Sequence, residues 1–401
     1  MRKKSNNMNI IFTCHTYYPN HDGVQFVTQY LAEGLAKKGH NVTILTNCNE
    51  KRENNKIEFH NKVRIIRIYA YTKYTIHHGE KKKYLKIIKK LCNKSDVIVN
   101  VCTQCALTDW LLKDLKNINI PKVLYLHSIW DFKYSKESLA SIYAIFTKIF
   151  ANLRWRLYYK FNTKNFKKYN LVTQLHEMDY TNKFFKNNYG IKSKIIENAA
   201  DNIFFEYINK EDTDNIVISN NYIINVANYQ KRKNQLKCIE LFSKVANNNN
   251  YHLVLIGSKK NEYYDLLEKK KNRLESSIRN RVHLLYNIPR KEIACYVKNA
   301  KFYLMTSKWE AFPISIIESM ATGVPYISSN VGIVKYLTGG VVCNNDEEYL
   351  YWINKLINDS ELLKNMGKMG REEAEKYYKI SEKVNEFEKE LYKLVLGEKY
   401  E

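Results

Sequence analysis

Short apolar runs recur along the chain, and each is followed by a stretch in which apolar residues return at three- or four-residue spacing. Residues 9–14 (N-I-I-F-T-C) form such a run and predict a buried strand. A polar loop, 15–23, leads into a helix over 24–38 that carries Phe26, Tyr30, Leu31, Gly34 and Leu35 on one face. Gly39 closes that helix, and 41–46 reads as the second strand. Further strands fit 63–69, 97–101, 122–126, 171–174 and 194–196. The pattern then restarts with a strand at 222–227, a helix at 234–246 and a strand at 252–256 ending in Gly257. Strands at 282–285, 302–305 and 325–328 continue this second series. A last helix, 381–396, places Val384, Phe387, Leu391 and Leu394 at helical spacing.

Alternating strands and helices predict parallel sheets with helical crossovers, an α/β fold. Two separate series imply two doubly wound, Rossmann-like domains, with ligands beyond the carboxyl ends of the strands. The expected division is 1–200 for the first domain, 201–380 for the second, and 381–401 for a terminal helix free to pack back on the first. The Asn/Asp-rich stretch 198–221 reads as the link. No internal sequence repeat is evident beyond this similarity of plan.

One segment breaks the pattern. Residues 141–169 hold Ile142, Ile145, Phe146, Ile149 and Leu153 at helical spacing. They also hold Lys148, Arg154, Arg156, Lys160, Lys164, Lys167 and Lys168, and contain no acidic residue. Aromatic residues are interleaved throughout. Two readings fit: a helix lying on a membrane interface, or a core-facing helix with a solvated basic back.

Composition narrows the class. A chain of 401 residues with 45% apolar and 26% charged content is globular and long enough for two domains. The net charge of +24 favours acidic partners such as nucleotides, lipid head groups or nucleic acid. The same charge is also what a lysine-rich solvated surface would give. Cysteines at 14, 48, 92, 102, 105, 238, 295 and 343 are too sparse for a disulfide scaffold. Cys102 and Cys105 form a C-x-x-C, but no second pair stands at zinc spacing, so reduced thiols are expected. Arg2, Lys3 and Lys4 precede an apolar stretch far too short for a signal peptide. No run is long enough to span a bilayer. The expectation is a cytoplasmic protein, with peripheral contact at the inner face of a membrane as a candidate.

The strongest chemical signal is 307–332, S-K-W-E-A-F-P-I-S-I-I-E-S-M-A-T-G-V-P-Y-I-S-S-N-V-G. Phe312–Pro313 follows a strand and opens a helix, with proline where its missing N–H costs nothing. A helix N-terminus offers free N–H groups and a positive dipole end, suited to a pyrophosphate. Glu310 and Glu318, separated by seven residues, are too far apart to act on one atom and suit two parts of an extended ligand. A second cluster, 223–235 (I-I-N-V-A-N-Y-Q-K-R-K-N-Q), places cations between a strand and a helix.

Together these segments resemble the retaining glycosyltransferases of family 4 (glycosyl transferases group 1), which have the GT-B fold of two Rossmann-like domains facing a central cleft. The two glutamates, the F-P pair and the E-S-M-A-T-G-V-P run carry the resemblance. It implies that Glu310 contacts donor-sugar hydroxyls and that Glu318 accepts hydrogen bonds from the ribose, with Phe312, Pro313 and Ile314 beside the donor. It also implies that Lys233 neutralises the leaving diphosphate. The family's arginine position falls on Asn228, and Arg232 is the candidate to supply the missing charge. Gly23 stands alone where the family usually has a glycine pair, and His127, after the strand 122–126, matches a histidine lining the donor-sugar pocket. Asn198-Ala-Ala-Asp201 with Phe204 resembles an interdomain stretch of the family.

The expected partners are a nucleotide-diphosphate sugar and a glycan or lipid-linked acceptor, with an anionic membrane surface met through 141–169. Specific nucleic-acid binding is not expected. No cofactor is expected, and metal-independent transfer is implied, with lysine and the helix dipole in place of a cation. Asp212-Thr-Asp214 lies in the polar link rather than at a strand end and reads as solvated. No G-x-G-x-x-G or G-x-x-x-x-G-K-[ST] occurs, which removes the standard dinucleotide and P-loop readings. The rival readings are a nucleotide-sugar epimerase of the same fold and a non-catalytic polyanion-binding protein.

Overall fold

The computed structural model describes residues 7–19, 22–48, 50–53, 56–130, 132–134, 137–206, 221–248 and 250–397. The chain divides into two compact units, Met1–Glu197 with Lys383–Glu401, and Asn198–Glu382.

The first unit is built on β1 (Asn9–Cys14), β2 (Asn41–Cys48), β3 (Ile57–His60), β4 (Val63–Lys73), β5 (Ile76–Gly79), β6 (Val97–Val101), β7 (Lys122–Tyr125), β8 (Leu171–Gln174) and β9 (Lys194–Ile195). Its helices are α1 (Gly23–Lys37), α2 (Lys81–Cys92), α3 (Ala106–Leu111), α4 (Ile142–Phe161), α5 (Thr163–Phe166) and α6 (Tyr180–Tyr189). The sheet order is β3-β4-β2-β1-β6-β7-β8-β9, with β5 on β4. β1 sits at the centre, pairing in parallel with β2 (Ile10 to Val42) and β6 (Ile10 to Val97). Its residues are almost wholly buried, as expected of a parallel strand covered on both faces.

The second unit carries β10 (Tyr222–Val226), β11 (His252–Gly257), β12 (Val282–Tyr286), β13 (Phe302–Met305), β14 (Tyr326–Ser329) and β15 (Gly340–Cys343). Between and after them run α7 (Gln235–Val245), α8 (Glu262–Asn272), α9 (Ser276–Arg279), α10 (Arg290–Lys298), α11 (Ile314–Ala321), α12 (Asp346–Asn358) and α13 (Ser360–Tyr377). All six strands are parallel in the order β12-β11-β10-β13-β14-β15. The order doubles back at β10, so the carboxyl ends of β10 and β13 flank the topological switch point where such sheets hold ligands.

The final helix, α14 (Ile380–Leu396), belongs to the first unit from Lys383 onward. Phe387 lies 6.2 Å from the Phe12 ring and 5.5 Å from the Tyr125 ring. Gly34 on α1 makes room for it, since a Cβ there would stand 2.6 Å from a Val384 methyl. His40 meets Glu388 at 2.8 Å, and Lys383 meets Glu197 at 3.1 Å. At the other junction, Asn198 donates to the Phe312 carbonyl and the Ala200 N–H to the Tyr378 carbonyl. These bonds place the unit boundary at 197/198. Residues 207–220 of the 198–221 link, including Asp212 and Asp214, lie outside the described residues.

Three strands escaped the periodicity. β3 and β5 are antiparallel additions to β4 at the sheet margin and are largely exposed, so they lack a buried apolar run. β15 opens with Gly340 on the face of Tyr326, where a glycine conceals the strand pattern.

The segment 141–169 needs two corrections. It is not one helix: α4 stops at Phe161, where the Asn162 side chain donates to the Tyr158 carbonyl, and the short α5 follows. Nor does its apolar set face the core. The buried positions of α4 are Ala151, Asn152, Trp155 and Tyr159, whereas Ile142 is 75% exposed, Phe146 66% and Leu153 56%. The helix does meet the core, but through Trp155 and Tyr159 rather than through the predicted apolar set, which lies outside.

Candidate functional site

The sequence-predicted residues of the second unit converge on the carboxyl ends of β10 and β13. After β10 the chain turns through 227–234, and Gln235, wholly buried at the start of α7, donates its amide to the carbonyls of Ala227 and Asn228, both at 3.1 Å. Asn234 takes a left-handed conformation (φ 55°), a common solution for asparagine at a sharp entry to a helix. Its carbonyl accepts from Thr306 at 2.9 Å, and the Arg232 carbonyl accepts from the Lys308 N–H at 2.8 Å. These bonds lash the 227–234 loop to the chain leaving β13.

Lys233 and Glu310 meet as a result. The Lys233 ammonium donates to Glu310 Oε1 at 2.6 Å, and an Arg232 nitrogen stands 3.8 Å from Oε2. Burial pushes the Lys233 ammonium below its ordinary pKa, and the Glu310 charge opposes that shift. Arg232 is half-exposed, bonded to Gln230 and resting over the Trp309 ring. One carboxylate thus holds two cations at the sheet edge.

Gly332 lies against the backbone at Glu310–Ala311. This glycine has φ 55°, and a Cβ on it would collide with the Ala311 carbonyl and stand 2.6 Å from that of Glu310. The next N–H, Ile333, donates to the Ala311 carbonyl at 3.1 Å. The small-residue loop of the motif therefore serves to let backbone cross backbone over Glu310.

Phe312 is buried, and Pro313 caps α11, with Ile314 beginning its first turn. No side chain caps this terminus, and within its first turn the Ile316 N–H donates back to the Pro313 carbonyl at 3.2 Å. Glu318, one turn further, is 3% exposed and faces a different cation, Arg290 at the start of α10. Burial raises the Glu318 pKa; Arg290 opposes the rise, and the charge of Asp201 adds to it. Arg290 also lies over the Phe204 ring at 4.7 Å and 3.9 Å from Asp201. Sequence reasoning missed Arg290. Its one signal was a cation just past the strand ending at Tyr286, in a chain full of cations.

The remaining predicted residues belong to the first unit. His127 follows β7 and is 5% exposed. Its Nε2 meets no hydrogen-bond partner among the described residues, and burial pushes its pKa down to about 4, so the ring is neutral at pH 7. The charge of Asp22 acts against that shift. Asp22 caps α1 by accepting from the Gln25 N–H at 2.9 Å, with Thr16 donating to its other oxygen at 2.7 Å. Gly23 is the exposed first residue of α1. Cys102 and Cys105 are free thiols; burial pushes Cys102 up to about 12 and Cys105 higher still. At neutral pH both are protonated, which is the inert state for redox and metal chemistry.

Comparison with known proteins places this geometry. The model described as Glycosyltransferase Family 4 matches residues 21–201, and that described as Glycosyl transferases group 1 matches 209–373. The chain belongs to glycosyltransferase family 4. As a family 4 glycosyltransferase it has the GT-B fold, and solved structures agree along nearly the whole chain. Sucrose-phosphate synthase from Thermosynechococcus elongatus superposes with a TM-score of 0.73 at 16% identity, covering 98% of this chain and 100% of that one. HepE of Anabaena, in complex with UDP and glucose, superposes with a TM-score of 0.70 at 15% identity, covering 96% and 100%. N-acetyl-alpha-D-glucosaminyl L-malate synthase of Bacillus anthracis is 26% identical over 191 residues, 45% of this glycosyltransferase. The match spans 48% of that curated relative's length.

Proposed function

We propose that this glycosyltransferase moves a sugar from a nucleotide-diphosphate sugar to a glycan acceptor, lipid-linked or part of a growing polysaccharide, with retention at the anomeric carbon. The observation that carries the reading is the Lys233–Glu310 pair at 2.6 Å, with Arg232 beside it and the uncapped end of α11 close by in sequence. Cations at a helix N-terminus suit a diphosphate, and a charge placed on a departing group is worth about 3–4 kcal/mol in the transition state. The complex of HepE with UDP and glucose supports a donor of this class.

In this proposal Lys233 leaves Glu310 to meet the diphosphate, with Arg232 supplying the charge that Asn228 lacks. Glu310, released from its ion pair, accepts from hydroxyls of the donor sugar. Glu318 accepts from the ribose, and Gly23 lets backbone approach the donor. His127, neutral and with a free ring nitrogen, hydrogen-bonds the sugar. The bond from C1 to the diphosphate oxygen breaks as the acceptor oxygen bonds C1 on the same face, and the acceptor proton passes to the departing oxygen. Transfer proceeds without a metal ion in the cytoplasm, the lysine and arginine holding the leaving group.

A thermal-shift panel of UDP, GDP, ADP, CMP and their common sugars tests the reading on the parent chain and on Glu318→Ala. Ligand at 100 times its dissociation constant adds about 2.7 kcal/mol to the bound state, a shift of several degrees. A shift with one nucleotide family, lost in Glu318→Ala, supports the donor site and names the base. Silence with every nucleotide sinks the proposal and favours a polyanion-binding role for the +24 charge.

A further inference from the structure

α4 is apolar on two sides. Its inward side buries Trp155 and packs Tyr159 into the first unit's core. Its outward side repeats Ile142, Phe146, Ile149, Leu153 and Leu157 at three- and four-residue spacing, so these side chains form one stripe along the helix. All five are exposed, as is Phe161 at the end of the helix. An exposed apolar stripe of this length is uncommon on a monomeric surface and marks an interaction site.

The stripe does not stand alone. Arg154 donates through Nε and Nη2 to the Thr75 carbonyl, at 3.1 and 2.9 Å, which ties α4 to the tip of the β4–β5 hairpin. That tip presents Tyr74 and Ile76, both exposed. Helix and hairpin therefore offer one apolar edge joined by an arginine. On its flank, Lys81, Lys113 and Arg154 help line a cavity of about 160 Å³. Arg156 and Lys160 are exposed on α4 itself, and 141–169 contains no acidic residue.

We infer that this edge docks on an anionic bilayer surface, with the stripe and the hairpin tip entering the head-group region and the lysines and arginines meeting lipid phosphates. Charge decides the occupant. A second copy of the chain would bring the same cationic edge against this one, whereas an anionic leaflet neutralises it. The helix rests on the surface rather than crossing it: among the described residues none is long and apolar enough to span a membrane. Such docking would bring the transferase to lipid-borne acceptors, although the inference itself stands on the surface alone and not on the transfer reading.

Vesicle sedimentation of the full chain tests it, using phosphatidylcholine alone and phosphatidylcholine mixed with phosphatidylglycerol. The expected result is partition onto the anionic vesicles at least about tenfold above the neutral ones, weakening as salt is raised. Phe146→Asp combined with Leu153→Asp should lower that partition by about tenfold or more, and Lys81→Glu with Lys113→Glu should lower it on anionic vesicles. These side chains are exposed, so the melting temperature of the variants should match the parent's. Equal recovery with both vesicle types, or a double-aspartate variant that binds like the parent, overturns the inference. So does a dimer in sedimentation velocity that the double-aspartate change abolishes, which would make the edge a self-association face. Vesicle binding that persists where no nucleotide shifts the melting temperature would support this inference while sinking the transfer reading.

Discussion

At the scale of single residues, the site is organised by which carboxylate meets which cation. Glu310 takes Lys233 and Arg232, while Glu318 takes Arg290. All this occurs where burial makes an unpaired charge costly. Lys233→Met leaves the Glu310 carboxylate buried with only the more distant Arg232, at a cost of about 3 kcal/mol. Adding Glu310→Gln removes the stranded charge and should restore most of that stability. Sugar transfer should stay depressed in both variants, because neither carries the ammonium that the proposed donor site offers the diphosphate. Urea unfolding and a transfer assay, run on the same pair of variants, separate the two effects. Recovery of transfer in the double variant would show that Lys233 acts only as a counter-ion to Glu310.

Among the elements, the loop that follows β14 does more than connect. Gly332 lets it cross the backbone at Glu310–Ala311 in a conformation that other residues adopt only with strain. Gly332→Ala should cost about 1–2 kcal/mol from the left-handed backbone alone, with a further cost from contact with the Ala311 carbonyl. Because that contact bears on the residue next to Glu310, the nucleotide-sugar shift should shrink along with the melting temperature. A variant that melts lower but keeps the full ligand-induced shift would show that the loop stabilises the unit without placing Glu310.

For the molecule as a whole, chain order and packing order differ. The chain passes through the second unit before α14 returns to the first, where Phe387 closes the core over Phe12 and Tyr125. Both Phe12 and Phe387 are completely buried. Phe387→Ala should destabilise the protein by about 3–5 kcal/mol in equilibrium unfolding, as expected for a large cavity. A loss below about 1 kcal/mol would mean that the surroundings collapse onto the gap and that α14 contributes little.

The strand–helix alternation was legible because each buried parallel strand must be an apolar run and each crossover helix must show a periodic face. β1, β6, β8 and β13 fall where the apolar runs stand. The two-glutamate motif was legible because Glu310 and Glu318 came embedded in a specific run of small and apolar residues. Other features needed the tertiary structure. Arg290 reaches Glu318 from an element distant in sequence, and spacing along the chain carries no trace of that meeting. The break at Asn162 turns on a local side-chain bond that periodicity does not register. The direction faced by α4 was undecidable from its sequence, because a helix apolar on two sides has no single moment to choose between them. Packing chose: Trp155 and Tyr159 fit the core, and the Ile142–Leu157 stripe was left outside.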